Sequence, residues 1–334
     1  MLTAKNNKKS RISNVKAIKE NKNEPQKKTK STSAAPTTVD LRGVQIHFPF
    51  KPYKCQEEYM GKVLDALNSS ENALLESPTG TGKTLCLLCS TLAWQQEQSR
   101  MKSELSMEYK FSADASGGAD ATGAATQQSQ PTNRRASTII YASRTHSQLS
   151  QVVKELRFTR YRPKHAVLGS REQMCVHPKV NTAKAVSSDI NHNCTRLNKD
   201  RKCRYRNNLD TFVVNTCGGG DMGSTSNKGS SFEYGMQPVL DMEELIDLGK
   251  KRKVCPFYMT RGQIEQADLI FVPYNYLFDK DARNNTLADV NWENSILIFD
   301  EAHNLGKSDA VCSPLSLNSV CYMFLTKEIR VFRK

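Results

Sequence analysis

Residues 77–84 read Ser-Pro-Thr-Gly-Thr-Gly-Lys-Thr, a run whose spacing suits a phosphate group. Gly80 and Gly82 allow a tight backbone turn, so that successive N–H groups face phosphate oxygens. Lys83 would reach the β- and γ-phosphates, and the Thr84 hydroxyl would coordinate Mg2+. Ser77, Pro78, Thr79 and Thr81 complete the cradle, with Ser77 standing where the general pattern opens with Gly. A surface turn with a chance Lys is the plain alternative, and the strand and helix signals on either side argue against it. Asp300-Glu301-Ala302-His303 supplies the complementary chemistry. Asp300 would hold Mg2+ directly or through water, and Glu301 would orient or deprotonate an attacking water. His303 is placed to relay the nucleotide state. Either carboxylate alone is an ordinary acidic strand end; with the upstream loop the two motifs complete one site.

Four cysteines form a third group. Cys175, Cys194, Cys203 and Cys255 are separated by 18, 8 and 51 residues. No C-x2-C pair occurs among them, which argues against a zinc ribbon. Four thiolates suit a 4Fe–4S iron–sulfur cluster, and Pro256 after Cys255 matches a step found after a cluster ligand in ferredoxins. Buried free thiols are the other reading of the same spacing. Cys55, Cys86 and Cys89 fall in helical patterns and read as packing residues, and Cys217 lies in a Gly-rich stretch.

These groups need elements to hold them. The apolar run at residues 73–76 reads as the strand before the phosphate loop. A helix follows from near Gly82 to about Gln98, and its positive end adds to the anion site. Residues 295–299 read as a buried strand running straight into Asp300. The carboxyl end of such a strand is where open α/β sheets bind ligands. Further strands are expected at 44–50, 138–142, 166–169 and 268–272, and helices at 55–68 and 149–158. Continuous apolar strands alternating with amphipathic helices predict an α/β fold, a parallel sheet with helices on both faces.

Composition sets the outer bounds. A chain of 334 residues suggests about two domains. The net charge of +14 is uneven: residues 1–40 carry ten Lys and Arg against three acidic residues, a net of +7. That segment has too little apolar surface to fold and is expected to be a disordered basic tail, a nucleic-acid arm, an import signal or a solvated tail. Residues 99–137, rich in Ser, Ala, Gly, Thr and Gln, read as a flexible insertion. No run of 18 or more apolar residues and no secretory h-region is present, so the expectation is an intracellular protein with no membrane partner.

With these motifs in place, a resemblance can be stated. A loop reading SPTGTGKT paired with a DEAH box resembles superfamily 2 helicases, and residues 141–148 (Tyr-Ala-Ser-Arg-Thr-His-Ser-Gln) look like their motif Ia. A four-cysteine insert between motif Ia and the box resembles the iron–sulfur helicases related to the xeroderma pigmentosum group D protein. Matching stretches lie at residues 48–53, 54–60, 168–175, 254–258 and 273–277, within a likeness that covers about 42–312 apart from two insertions. The resemblance implies a P-loop NTPase (RecA-like) fold interrupted by an inserted iron–sulfur cluster domain. It implies a 5′-to-3′ DNA helicase using ATP, Mg2+ and a 4Fe–4S cluster held by the four cysteines, working in the nucleus in genome or telomere maintenance and DNA repair. Single-stranded or branched DNA would be the partner. Arg144, Thr145 and His146 would contact its backbone, and Gln56 would read adenine.

Arg196, Lys199, Arg201, Lys202, Arg204 and Arg206, with Tyr205 among them, would form a phosphate-tracking surface with one stacking side chain; a solvated basic loop is the plain alternative. The expected organisation is a tail at 1–40, the first part of motor domain 1 at 41–169, the cluster domain at 170–262, the second part of the motor domain at 263–312 and an unassigned end at 313–334. Only 31 residues follow the box, and the last of them depart from the family pattern. The second motor domain is therefore expected to be missing, through a truncated gene model, an alternative product or a fragment. The alternative function is an ATP- and DNA-binding fragment without helicase activity of its own.

Overall fold

In strand β4 (Thr138–Ser143) every residue after the first is buried, and alternate side chains enter two different cores. Ile139 and Tyr141 belong to one cluster, Ile140 and Ala142 to the other. That is the signature of a strand covered on both faces, and it explains the apolar run without alternation. The computed structural model describes residues 36–78, 80–115, 137–209, 239–307 and 321–326. Thr79, Cys217 and the Gly/Ser-rich stretch around it, most of the basic tail and residues 116–136 of the insertion lie outside the described residues.

Chain order gives a hairpin of β1 (Thr37–Leu41) and β2 (Val44–Phe48), then α1 (Lys54–Ser69), β3 (Ala73–Glu76), α2 (Lys83–Ala115), β4 and α3 (His146–Phe158). After β5 (His165–Val167) come α4 (Arg171–Met174), α5 (Ser187–Lys199), α6 (Arg204–Asn207), α7 (Met242–Arg252) and α8 (Pro256–Gln263). The sheet resumes with β6 (Leu269–Pro273), passes α9 (Asn275–Phe278) and α10 (Lys280–Thr286), and ends with β7 (Ser295–Phe299) and β8 (Cys321–Thr326). Six of the described strands form one sheet in the order β3-β8-β7-β4-β6-β5, every pairing parallel. Helices α1, α2 and α3 cover one face, where Met60, Leu64, Leu88 and Val153 meet Tyr141 and Phe271. The other face is covered by the segment from Tyr274 to Val290, where Leu277 and Phe278 meet Phe299.

Three elements differ from the sequence reading. Residues 37–40, placed in the tail, form β1, closed onto β2 through Arg42 (φ 55°) and Gly43 (φ 76°), the left-handed pair of a tight hairpin turn. Helix α2 runs past Gln98 to Ala115. Ion pairs of Arg100 with Glu97 and Glu104, one turn away on either side, support the helix past Gln98, where Met101, Leu105 and Met107 are exposed. Residues 321–326, left in the unassigned end, form a strand between β3 and β7. Its run Cys-Tyr-Met-Phe-Leu-Thr is apolar and of strand length. Among the described residues no helix is long and apolar enough to cross a membrane.

Candidate functional site

The loop after β3 turns through Gly80 (φ 83°) and Gly82 (φ 74°), the left-handed backbone that glycine adopts without strain. Its side chains hold the turn from within. The Ser77 and Thr81 hydroxyls are 2.6 Å apart, Thr81 Oγ1 donates to the Pro78 carbonyl at 2.9 Å, and Lys83 Nζ donates to the Ser77 carbonyl at 2.7 Å. Gln56, 4% exposed on α1, takes the Tyr53 N–H on Oε1 at 3.0 Å and donates from Nε2 to the Thr81 carbonyl at 3.0 Å. Both ends of the expected adenine reader are thus occupied in tying α1 to the loop.

Strand β7 delivers Asp300 and Glu301 to the same end of the sheet. One cleft is lined by Gly80, Gly82, Lys83, Thr84, Glu155 and Glu301. Asp300 lies deeper, its N–H bonded to the Ala142 carbonyl at 2.9 Å and its own carbonyl receiving the Tyr274 hydroxyl. Burial, then the neighbouring Glu301, push the Asp300 carboxyl above its ordinary range, while Tyr141 and Lys83 act the other way. Glu301 is held at φ 55°, a left-handed conformation uncommon outside glycine, and its carboxylate lies 3.4 Å from His303 Nε2. Two side chains that motif reading did not single out belong here. Glu155 comes from α3 into the cleft, and nothing in its helical context marks it. Tyr141, wholly buried on β4, has a hydroxyl that lies within reach of Asp300 and Thr84 but meets neither in good hydrogen-bond geometry.

The four cysteines gather around a second, small cavity, with His177, Asn198 and Tyr258 in its wall. Cys175 follows α4, Cys194 lies within α5, and Cys203 and Cys255 precede the first turns of α6 and α8. Burial pushes the Cys255 thiol up to about 11, the other three thiols adding to the effect. Asn198 Nδ2 donates to the Cys194 carbonyl at 2.8 Å and approaches its sulfur at 3.3 Å. Among the described residues no three or more His, Cys, Asp or Glu side chains are grouped to hold a single metal ion. Tyr205, expected as a stacking platform, instead lines this cavity with its ring edge-on to His177 at 5.6 Å.

In motif Ia, Arg144 is exposed beyond β4. Thr145 caps α3: its hydroxyl receives the Gln148 N–H at 3.3 Å and lies 3.3 Å from Gln148 Oε1. His146 turns partly inward, and burial lowers its imidazole below the ordinary range.

The DEAD_2 family model matches residues 141–320. Within the helicases named above, the quoted stretches look most like the regulators of telomere elongation helicase, with the Fanconi anaemia group J helicase second. The chain is 43% identical over 274 residues to "Regulator of telomere elongation helicase 1" of Mus musculus, covering 80% of this chain and 21% of that protein. The protein of the same name from Homo sapiens is 43% identical over 275 residues, with the same shares. The chain therefore spans about a fifth of the length of these relatives. A solved structure named XPD_Helicase superposes with a TM-score of 0.41 at 20% identity, covering 77% of this chain and 34% of that one.

Proposed function

The chain belongs to the DEAD_2 family, among the helicases related to the xeroderma pigmentosum group D protein, and from that premise we propose that it forms the ATP-binding first motor domain and iron–sulfur insert of a 5′-to-3′ DNA helicase. The observation that carries the reading is the cleft where the glycine loop, Lys83 and Thr84 meet Glu301, with Asp300 beneath. Phosphates would lie against the N–H groups of residues 80–84, with Lys83 exchanging the Ser77 carbonyl for phosphate oxygen. Thr84 and Asp300 would hold Mg2+, which supplies charge neutralisation between the phosphates. A buried carboxylate beside a second one is the arrangement a divalent cation relieves. Glu301 would orient the attacking water, its aim fixed by the left-handed backbone and His303.

Four thiols around one cavity support the cluster reading over scattered packing cysteines. A 4Fe–4S cluster is larger than one ion, so its ligands stand too far apart to meet around a single metal. Bound there, it would act as a structural staple between α4, α5, α6 and α8. Arg196, Lys199, Arg201 and Arg204 are exposed on these helices and their connections, a surface suited to a DNA backbone in the nucleus, where genome maintenance and repair take place.

The test is Mg·ATP binding by the purified chain, followed with a fluorescent nucleotide. Wild type should bind, and Lys83→Ala should weaken binding about tenfold or more. Equal binding by both would remove the reading. Anaerobic purification should give a brown protein with about four irons per chain. A colourless zinc protein would sink the cluster assignment.

A further inference from the structure

Two buried hydroxyls in the core near Asp300 make no hydrogen bond of good geometry. Tyr141 Oη is on a side chain that is wholly buried, and Tyr59 Oη is on one that is 8% exposed. Asp300 acts electrostatically on both phenols, more closely on Tyr141, and Thr84 is also within reach of Tyr141; strand register puts Tyr141 opposite Ile298, two residues before Asp300. They come from different elements, Tyr59 from α1 and Tyr141 from β4, and both belong to the core cluster on one face of the sheet. A buried hydroxyl left without a good partner is destabilising. Phenylalanine would fill the same volume without that penalty, as Phe48, Phe271 and Phe299 do elsewhere in the two cores. Burial also keeps both phenols protonated, so each is available as a donor.

We propose that Tyr141, assisted by Tyr59, is a positioning residue of the magnesium site, its hydroxyl donating to the Asp300 carboxylate and accepting from a water of the ion's hydration shell. The inference rests on the nucleotide-site reading above. Magnesium gives up its waters reluctantly, so those that remain need partners in the protein wall. Thr84 lines the cleft, whereas the two phenols belong to the core behind it. The unsatisfied hydroxyls would therefore be satisfied when metal and nucleotide arrive, and would discriminate metal-bound from metal-free nucleotide.

The experiment measures fluorescent ADP binding by the whole chain in EDTA and in magnesium, with thermal melting of the same samples. In wild type, magnesium should tighten binding. Tyr141→Phe should lose about tenfold of the magnesium-dependent increment, measured as the ratio of its own affinities in magnesium and in EDTA. Tyr59→Phe should lose a smaller part. In EDTA both variants should melt at or above the wild-type temperature, because an unpaired buried hydroxyl has been removed. An undiminished magnesium increment in Tyr141→Phe would overturn the inference. So would a lower melting temperature in EDTA, which would show that the hydroxyl serves the fold. If wild type binds no nucleotide under either condition, the site reading itself fails and takes this inference with it. Lys83→Ala, which should lose binding with and without metal, separates that failure from a failure of the tyrosines alone.

Discussion

Gly82 meets two demands at once. Its φ of 74° lies where L residues are strained, and a Cβ placed there would stand 3.0 Å from Gln56 Nε2. The second demand is the weaker, because the end of a glutamine side chain can move aside. Gly82→Ala should therefore lose about 1–2 kcal/mol of stability from the backbone alone. Adding Gln56→Ala should recover little of it, as paired thermal melts of the single and double variants would show. Full recovery would mean that crowding, not the backbone, sets the requirement. At this scale the turn of the candidate loop was legible, because Ser77 to Thr84 are contiguous and Gly80 and Gly82 mark the left-handed positions. The Gln56 tie to Thr81 was not, since it depends on how α1 lies against the loop. Nor was the approach of Tyr141 to Asp300, which is made by strand register rather than by spacing.

Helices α7 and α8 meet at Gly249, where an added Cβ would come within 2.4 Å of the Pro256 ring and 3.0 Å of the Val254 carbonyl. Pro256 opens α8 and directly follows Cys255, so anything that moves the ring moves a cavity cysteine. Alanine ordinarily favours a helix interior by about 1 kcal/mol over glycine. Here overpacking should win, and Gly249→Ala should lower stability by about 1–3 kcal/mol and reduce bound iron per chain. Iron content and melting of the anaerobic protein check this; unchanged iron would detach Gly249 from the cysteine cavity. The four cysteines were readable as a set. Their grouping at and within four different helices was not, because those helices are short and weakly patterned. Strands β4, β6 and β7 were legible from their unbroken apolar runs, which only double-sided burial explains. Helix α2 beyond Gln98 was missed because local ion pairs, not a buried stripe, accompany it.

Among the described residues, exposed basic charge and the carboxylates of the candidate site occupy different elements. The exposed Arg196, Lys199 and Arg204 lie on α5 and α6, apart in sequence from the cleft holding Glu155 and Glu301. If those cations track a DNA backbone, replacing all three with Ala should shallow the log–log dependence of single-strand binding on salt by about 2. Nucleotide binding should be untouched. An unchanged slope, measured by fluorescence anisotropy across a salt series, would assign the three to solvent. The α/β class and the parallel sheet were legible at this scale because several apolar runs agreed with one another. The place of β8 was not, since the order of strands in a sheet is not written in the order of the chain.

That place has a consequence in time. β3, which carries the phosphate loop, pairs with β8 and through it reaches β7. On the ribosome, β3 is complete at residue 76, and its partner emerges only with residues 321–326, some 245 residues later. At about 5–20 residues per second, that is a wait on the order of 10–50 s. Through it β3 remains an open edge, the kind of edge that invites the wrong partner. The glycine loop is thus among the first parts of the sheet to be synthesised and among the last to be set in place.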